Sequence, residues 1–267
     1  MSVRVYTGPH ADRRRGPSGF WHALPVGLAI LTLLAQIAWP LTSGDPRATL
    51  TAVTVVLFFL TSLTHAWVSR GFSWMLGWLA ASTVVGLGIE VIGTRTGLPF
   101  GDYAYAAGVL GPEVLGVPVV VPMAWAMMSY PALLVARRLA HGTWTVPLVG
   151  AWALASWDLF LDPQMVSESY WTWDSPAAAL PGVPGIPVQN YLGWLLVAFV
   201  LMLLLDRLPR RRSAPEGVPA AMYLWTWIGG IVANAIFLGR PAVALWGGVA
   251  MGLVAVPYAW SLLSERE

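Results

Sequence analysis

Trp144 to Asp162 reads W-T-V-P-L-V-G-A-W-A-L-A-S-W-D-L-F-L-D. The stretch is long and apolar enough to cross ~30 Å of hydrocarbon as a helix, yet it closes on two aspartates, Asp158 and Asp162. An ionisable group inside a spanning helix costs roughly 2.5–3.5 kcal/mol on insertion scales, so such a group is a functional candidate by default. Seven further apolar segments flank this one, at about 22–41, 48–68, 72–93, 116–138, 189–207, 219–238 and 241–262. The expected fold is all-α: a polytopic membrane bundle of about eight transmembrane helices. Residues 1–21 form a tail, 22–262 a single transmembrane helical domain and 263–267 a second tail.

Composition narrows the function classes. The chain is 57% hydrophobic and 10% charged, with mean hydropathy +0.65, which excludes a soluble domain. There is no cysteine, so disulfides, thiol catalysis and iron–sulfur clusters are excluded. All 15 basic residues are arginine, so no lysine is present to form a Schiff base with retinal. The first twenty residues are polar, with Arg13, Arg14 and Arg15, and do not read as a cleavable signal.

The arginines orient the helices. With a cytoplasmic N-terminus, the inner segments hold Arg4, Arg13, Arg14, Arg15, Arg70, Arg137, Arg138, Arg207, Arg210, Arg211, Arg212 and Arg266. The outer loops hold only Arg47, Arg95 and Arg240, a strong positive-inside bias that places both termini in the cytoplasm. This topological role, rather than a nucleic-acid partner, accounts for the basic residues. A multi-pass protein of the cell membrane is expected. The two long loops, about 94–115 and 163–188, then share the outer side with the helix ends that carry Glu90, Asp158 and Asp162. The Pro-rich piece Pro176–Pro187 cannot be regular helix and reads as an extended cap or re-entrant loop.

Asp158 and Asp162 are four residues apart, so they share one helix face. Three readings compete. They could ligate Mg²⁺ for a diphosphate, act as a proton-donating carboxyl pair, or serve structure, with Asp162-Pro163 capping the helix end. No second Asp-rich motif exists and the outer face is poor in arginine, so no metal is expected. Glu90 lies in G-L-G-I-E-V-I-G, where Gly86, Gly88 and Gly93 permit close helix approach, and a carboxyl buried there suits a general acid. The alternative is an interhelical hydrogen bond. The following loop offers Arg95, Asp102, Tyr103 and Tyr105, with Arg95 a candidate partner for Glu90 or Asp102. Among the 16 tryptophans, Trp21, Trp39, Trp67, Trp144 and Trp260 fit interfacial belts, whereas Trp125, Trp157, Trp171, Trp173 and Trp194 flank the acids. Indole faces attract cations, so an aromatic box beside acids can shelter a carbocation. The histidines have no metal spacing and read as interfacial.

The strings G-I-E-V-I-G-T-R-T-G-L-P-F-G-D-Y-A-Y, G-V-P-V-V-V-P-M-A-W, D-L-F-L-D-P, W-T-W and G-I-P-V-Q-N-Y-L-G-W occur in this order. Over about 85–205 the chain resembles the membrane carotenoid-biosynthesis family of carotenoid hydratases. The resemblance implies a cofactor-independent carbon–oxygen lyase that adds water across a terminal isoprenoid double bond of an acyclic ψ-end. It also implies a carotenoid substrate drawn from the bilayer, and association with other enzymes of the pathway. Such chemistry needs an acid (Asp158, Asp162 or Glu90), a group to position water (another carboxylate, Asn190 or Tyr103) and aromatic walls (Trp125, Trp157, Trp171, Trp173). Lycopene-type cyclisation, Mg-dependent prenyl transfer, and non-catalytic carotenoid or lipid binding or transport remain as competitors.

Overall fold

The computed structural model describes residues 19–174, 178–210 and 215–264. Most of both expected tails, with Arg4, Arg13, Arg14, Arg15 and Arg266, lies outside the described residues, as do Pro176, Ala177, Arg211 and Arg212. Among the described residues eight helices follow one another: α1 (Gly19–Ala38), α2 (Asp45–Arg70), α3 (Phe72–Thr96), α4 (Val120–Leu139), α5 (Thr145–Ser167), α6 (Val188–Leu205), α7 (Gly217–Val232) and α8 (Pro241–Ser264). A 3-10 turn, Trp39–Leu41, extends α1, and a π-helical turn, Ala233–Phe237, extends α7. The apolar segments therefore predict the helices one for one, and the protein is an all-α multi-pass membrane bundle.

Seven of these helices, extensions included, are long and apolar enough to span a membrane by themselves. The exception is α5, the helix with the two aspartates. Its 23 residues are mostly buried, and it packs against α4, α6 and α8, so it need not face lipid. The adjacent α4 is equally enclosed, packing on α2, α3 and α5. These two helices form the centre of the bundle.

Several boundaries differ from expectation for local reasons. Helix α1 begins at Gly19, inside the expected tail. Helix α4 starts at Val120 rather than near 116, because Val117–Pro118 (β3) pairs with Glu113–Val114 (β2) in a small hairpin. Helix α5 does not stop at Asp162-Pro163 but continues to Ser167. The capping role for Asp162 is thereby overturned, since the residue sits within the helix. Between α2 and α3 the chain turns on the single residue Gly71, whose φ of +94° only glycine adopts without strain.

The two long loops meet at one end of the bundle. Tyr103–Tyr105 (β1) pairs antiparallel with Trp171–Trp173 (β4), setting Tyr103 opposite Trp173 and Tyr105 opposite Trp171. The described part of the Pro-rich piece is extended, as expected, and forms the hairpin Ala179–Leu180 (β5) with Val183–Pro187 (β6).

At the opposite end the arginines find acids. Arg137 Nε donates to Asp206 Oδ1 at 2.9 Å, and its Nη2 donates to the carbonyls of Leu205, the last residue of α6, and of Leu208 just beyond it. Arg70 and Arg138 both pair with Glu216. His65, expected at an interface, is instead buried, with Nδ1 2.8 Å from the Tyr130 hydroxyl, which also accepts from Arg70 Nε at 3.0 Å.

Candidate active site

Alternation along a strand builds the roof of the site. Residues two apart in a strand point to one face, so Y-A-Y and W-T-W each present two aromatic rings to the same side. Tyr103 and Trp173 lie 5.7 Å apart between ring centroids, and Tyr105 and Trp171 lie 5.6 Å apart. All four rings line a cavity of about 460 Å³ beneath the ribbon. The polar ends of three of them reach carboxylates.

Glu90, 4% exposed near the end of α3, receives three donors. The Tyr103 and Tyr105 hydroxyls reach its Oε2 at 2.5 and 2.7 Å, and Trp125 Nε1 reaches its Oε1 at 2.9 Å. Burial, followed by the charge of Glu90, holds both tyrosine phenols above their ordinary range, so they remain donors. Three donors on two oxygens is the surrounding of an ionised carboxylate, which only accepts. Glycine makes this approach feasible. A Cβ at Gly86 would lie 2.9 Å from Cβ of Trp125, and one at Gly93 would lie 2.7 Å from the Tyr103 hydroxyl. Gly88 faces open space and plays no such part.

Asp158 and Asp162 occupy successive turns of α5, fully enclosed, and one amide joins them. Asn190, in the first turn of α6, donates Nδ2 to Asp158 Oδ2 at 3.0 Å and also to Asp162 Oδ2. Trp171 Nε1 donates to Asp162 Oδ1 at 3.1 Å. Asp162 and Asn190 line the cavity, whereas Asp158 lies behind them, its Oδ1 without a partner among the described residues. Below them the indoles of Trp125 and Trp194 stack at 4.0 Å, and Trp157 meets Trp194 edge-on at 6.2 Å.

The electrostatics are one-sided. Among the described residues, no arginine or histidine pairs with Glu90, Asp158 or Asp162. Arg47 instead binds Glu168 and the Thr42 carbonyl, and Arg240 binds the Pro163 carbonyl and Ser167. Three buried carboxyls without a base, walled by indole faces, favour positive charge in the cavity. Among the described residues no group of three His, Cys, Asp or Glu is arranged to hold a metal ion.

The structure thus brings together Glu90, Tyr103, Tyr105, Trp125, Trp157, Asp158, Asp162, Trp171, Trp173 and Asn190. Asp102 and Arg95 lie elsewhere. Both are exposed, Asp102 sits against Gly97, and Arg95 pairs with neither Glu90 nor Asp102. Sequence reasoning missed the far wall of the cavity. Trp39 is not a belt residue but is buried, lines the cavity and donates Nε1 to Thr51 Oγ1 at 2.7 Å. Gln36, Thr54 and the α7 residues Thr226, Gly229 and Gly230 join it there. Gln36, the one amide side chain of α1, was the available signal. Cavity-lining residues Ile37, Leu41, Ile228 and Phe237 are also exposed, so the cavity reaches the flank of the bundle beside α1 and α7.

Residues 49–257 match a family model described as "Carotenoid biosynthesis protein". The bisanhydrobacterioruberin hydratase of Haloarcula japonica is 38% identical over 133 residues. That match covers 48% of this chain and 43% of the relative, so it spans less than half the length of either. No solved structure matches the chain.

Proposed function

Since the chain belongs to the carotenoid biosynthesis protein family, we propose that it is a hydratase that adds water to the terminal double bond of an acyclic carotenoid ψ-end. The observation that carries this reading is the enclosed, base-free group of three carboxyls faced with tryptophan. Asp162 is the proton donor, because it is the member of the Asp pair that meets the cavity. Two carboxyls held to one amide share a proton more readily than both ionise, and Asp158 is the partner that makes Asp162 a donor.

The steps balance with water alone. The Asp162 carboxyl gives its proton to the less substituted alkene carbon, and the π pair forms the new C–H bond. The tertiary cation left behind is stabilised by the Glu90 charge and by the faces of Trp125, Trp157 and Trp194. Water forms the C–O bond, and its spare proton returns to the Asp pair. No redox change occurs, so no cofactor is needed. Tyr103, Tyr105 and Asn190 act through the carboxyls that they orient. The opening at the flank supports entry of the polyene from the bilayer. The arginine bias supports an orientation in the cell membrane with this end outward.

Cyclisation begins with the same protonation but ends in proton loss, and the relative's printed activity favours hydration. Expression in cells that accumulate lycopene or a longer acyclic carotenoid tests the reading. Pigment heavier by one water is expected. An isomer of unchanged mass would indicate a cyclase, a five-carbon gain would indicate prenyl transfer, and unaltered pigment despite good membrane expression would end the enzymatic reading.

A further inference from the structure

The cavity has a second polar locus, far from the carboxyls in sequence. Helices α1 and α2 run antiparallel, and their register is fixed by Trp39 Nε1 donating to Thr51 Oγ1. Three residues back from Trp39 is Gln36, and three residues on from Thr51 is Thr54. One turn deeper along the α1–α2 seam, both therefore fall at a similar level of the bundle. Both line the cavity. The Gln36 Oε1 and Thr54 Oγ1 atoms are buried, and neither has a hydrogen-bond partner among the described residues.

Thr54 is unusual among the threonines of its helix that are not exposed. Thr51, Thr61 and Thr64 each return their hydroxyl to the carbonyl four residues earlier, the ordinary habit of a helical threonine. Thr54 does not. A buried hydroxyl and a buried amide oxygen left unmet are each destabilising, unless a small polar ligand bonds them. Gln36 Oε1 only accepts through that atom, and a hydroxyl both donates and accepts. The pair therefore suits a ligand with an O–H to give and a lone pair to share.

We infer that Gln36 and Thr54 form a water-holding subsite that supplies the nucleophile for hydration. This inference rests on the hydratase reading. A cation formed beside Asp162 is captured by water only if water is held in the cavity, and Gln36 Oε1 and Thr54 Oγ1, unlike the mutually bonded carboxyls, tyrosines and Asn190, have no partner of their own among the described residues to compete with it. Without it the cation loses a proton or cyclises. The pair thus governs how the cation is resolved rather than whether it forms.

The test is product partition. Membranes carrying the wild type, Gln36→Leu, Thr54→Val or Thr54→Ser are given lycopene, and the ratio of alcohol to altered pigment of unchanged mass is measured. Gln36→Leu and the near-isosteric Thr54→Val should each lower that ratio by roughly tenfold, as expected for one lost hydrogen bond to bound water. Thr54→Ser should restore it. Structural damage would depress both products together, so an unchanged ratio in Gln36→Leu and Thr54→Val overturns the inference whatever the total turnover. A Thr54→Val defect seen only with a substrate that already bears a hydroxyl also overturns it, and assigns the pair to the substrate's own oxygen. Absence of alcohol from the wild type overturns the hydratase reading itself. An unchanged ratio with abundant wild-type alcohol removes the water subsite alone.

Discussion

The two ends of this bundle bury charge in opposite ways. At the arginine end, Asp206 meets Arg137 and Arg210, and Glu216 meets Arg70 and Arg138. At the ribbon end, the hydrogen-bond donors that meet Glu90, Asp158 and Asp162 among the described residues are tyrosine, tryptophan and asparagine, with no arginine. Paired charges neutralise each other and tie helix ends together, whereas unpaired ones leave a field in the cavity. The first arrangement is a structural solution. The second costs stability, and under the proposed hydration that cost serves a cation formed there.

This contrast predicts opposite consequences of mutation. The largest effect on turnover is expected at Glu90. Glu90→Gln keeps the shape but removes the charge, and hydration should fall by roughly 10²–10³-fold. The thermal midpoint in detergent should hold or rise. A mutant that unfolds while hydrating normally per folded molecule would erase the distinction between the ends. Arg137→Met should do the reverse. It leaves Asp206 with Arg210 alone among the described residues and the Leu205 and Leu208 carbonyls without their Arg137 donor, and should lower stability by about 2–3 kcal/mol in a detergent unfolding titration. Activity per folded molecule should stay near wild type. Tyr105→Phe should have a smaller effect, removing one of three donors to Glu90 and slowing hydration about tenfold, with little change in stability. Equal losses for Tyr105→Phe and Glu90→Gln would mean that the hydroxyl, not the carboxylate, carries the function.

How much of this was legible in the sequence depends on the scale of the signal. Eight apolar runs and a one-sided arginine count mark the helices and the shared end of the two loops, because burial in lipid constrains long segments. Asp158 and Asp162 stand out as carboxyls in the wrong solvent, and helical spacing places them on one face. Asn190 as the amide between them was not legible, because it depends on how α6 packs against α5. The Tyr103–Trp173 register likewise arises where two distant loops meet, and short strands of three residues carry little pattern. Trp39 misleads for a related reason. A tryptophan at a helix end fits a belt equally well, and only its partner Thr51 turns it inward. The Arg95–Glu90 pairing failed because the tyrosine hydroxyls and Trp125 already occupy both oxygens of Glu90.

The most direct test of the central account is isotopic. Membranes containing the wild type or Asp162→Asn, matched for folded protein, are given lycopene in deuterated water. The wild-type alcohol should carry one carbon-bound deuterium per hydrated end. Asp162→Asn should fall by roughly 10²–10⁴-fold in forming it. Deuterated alcohol from Asp162→Asn at the wild-type rate, or wild-type alcohol without carbon-bound deuterium, would contradict alkene protonation by the base-free carboxyl centre.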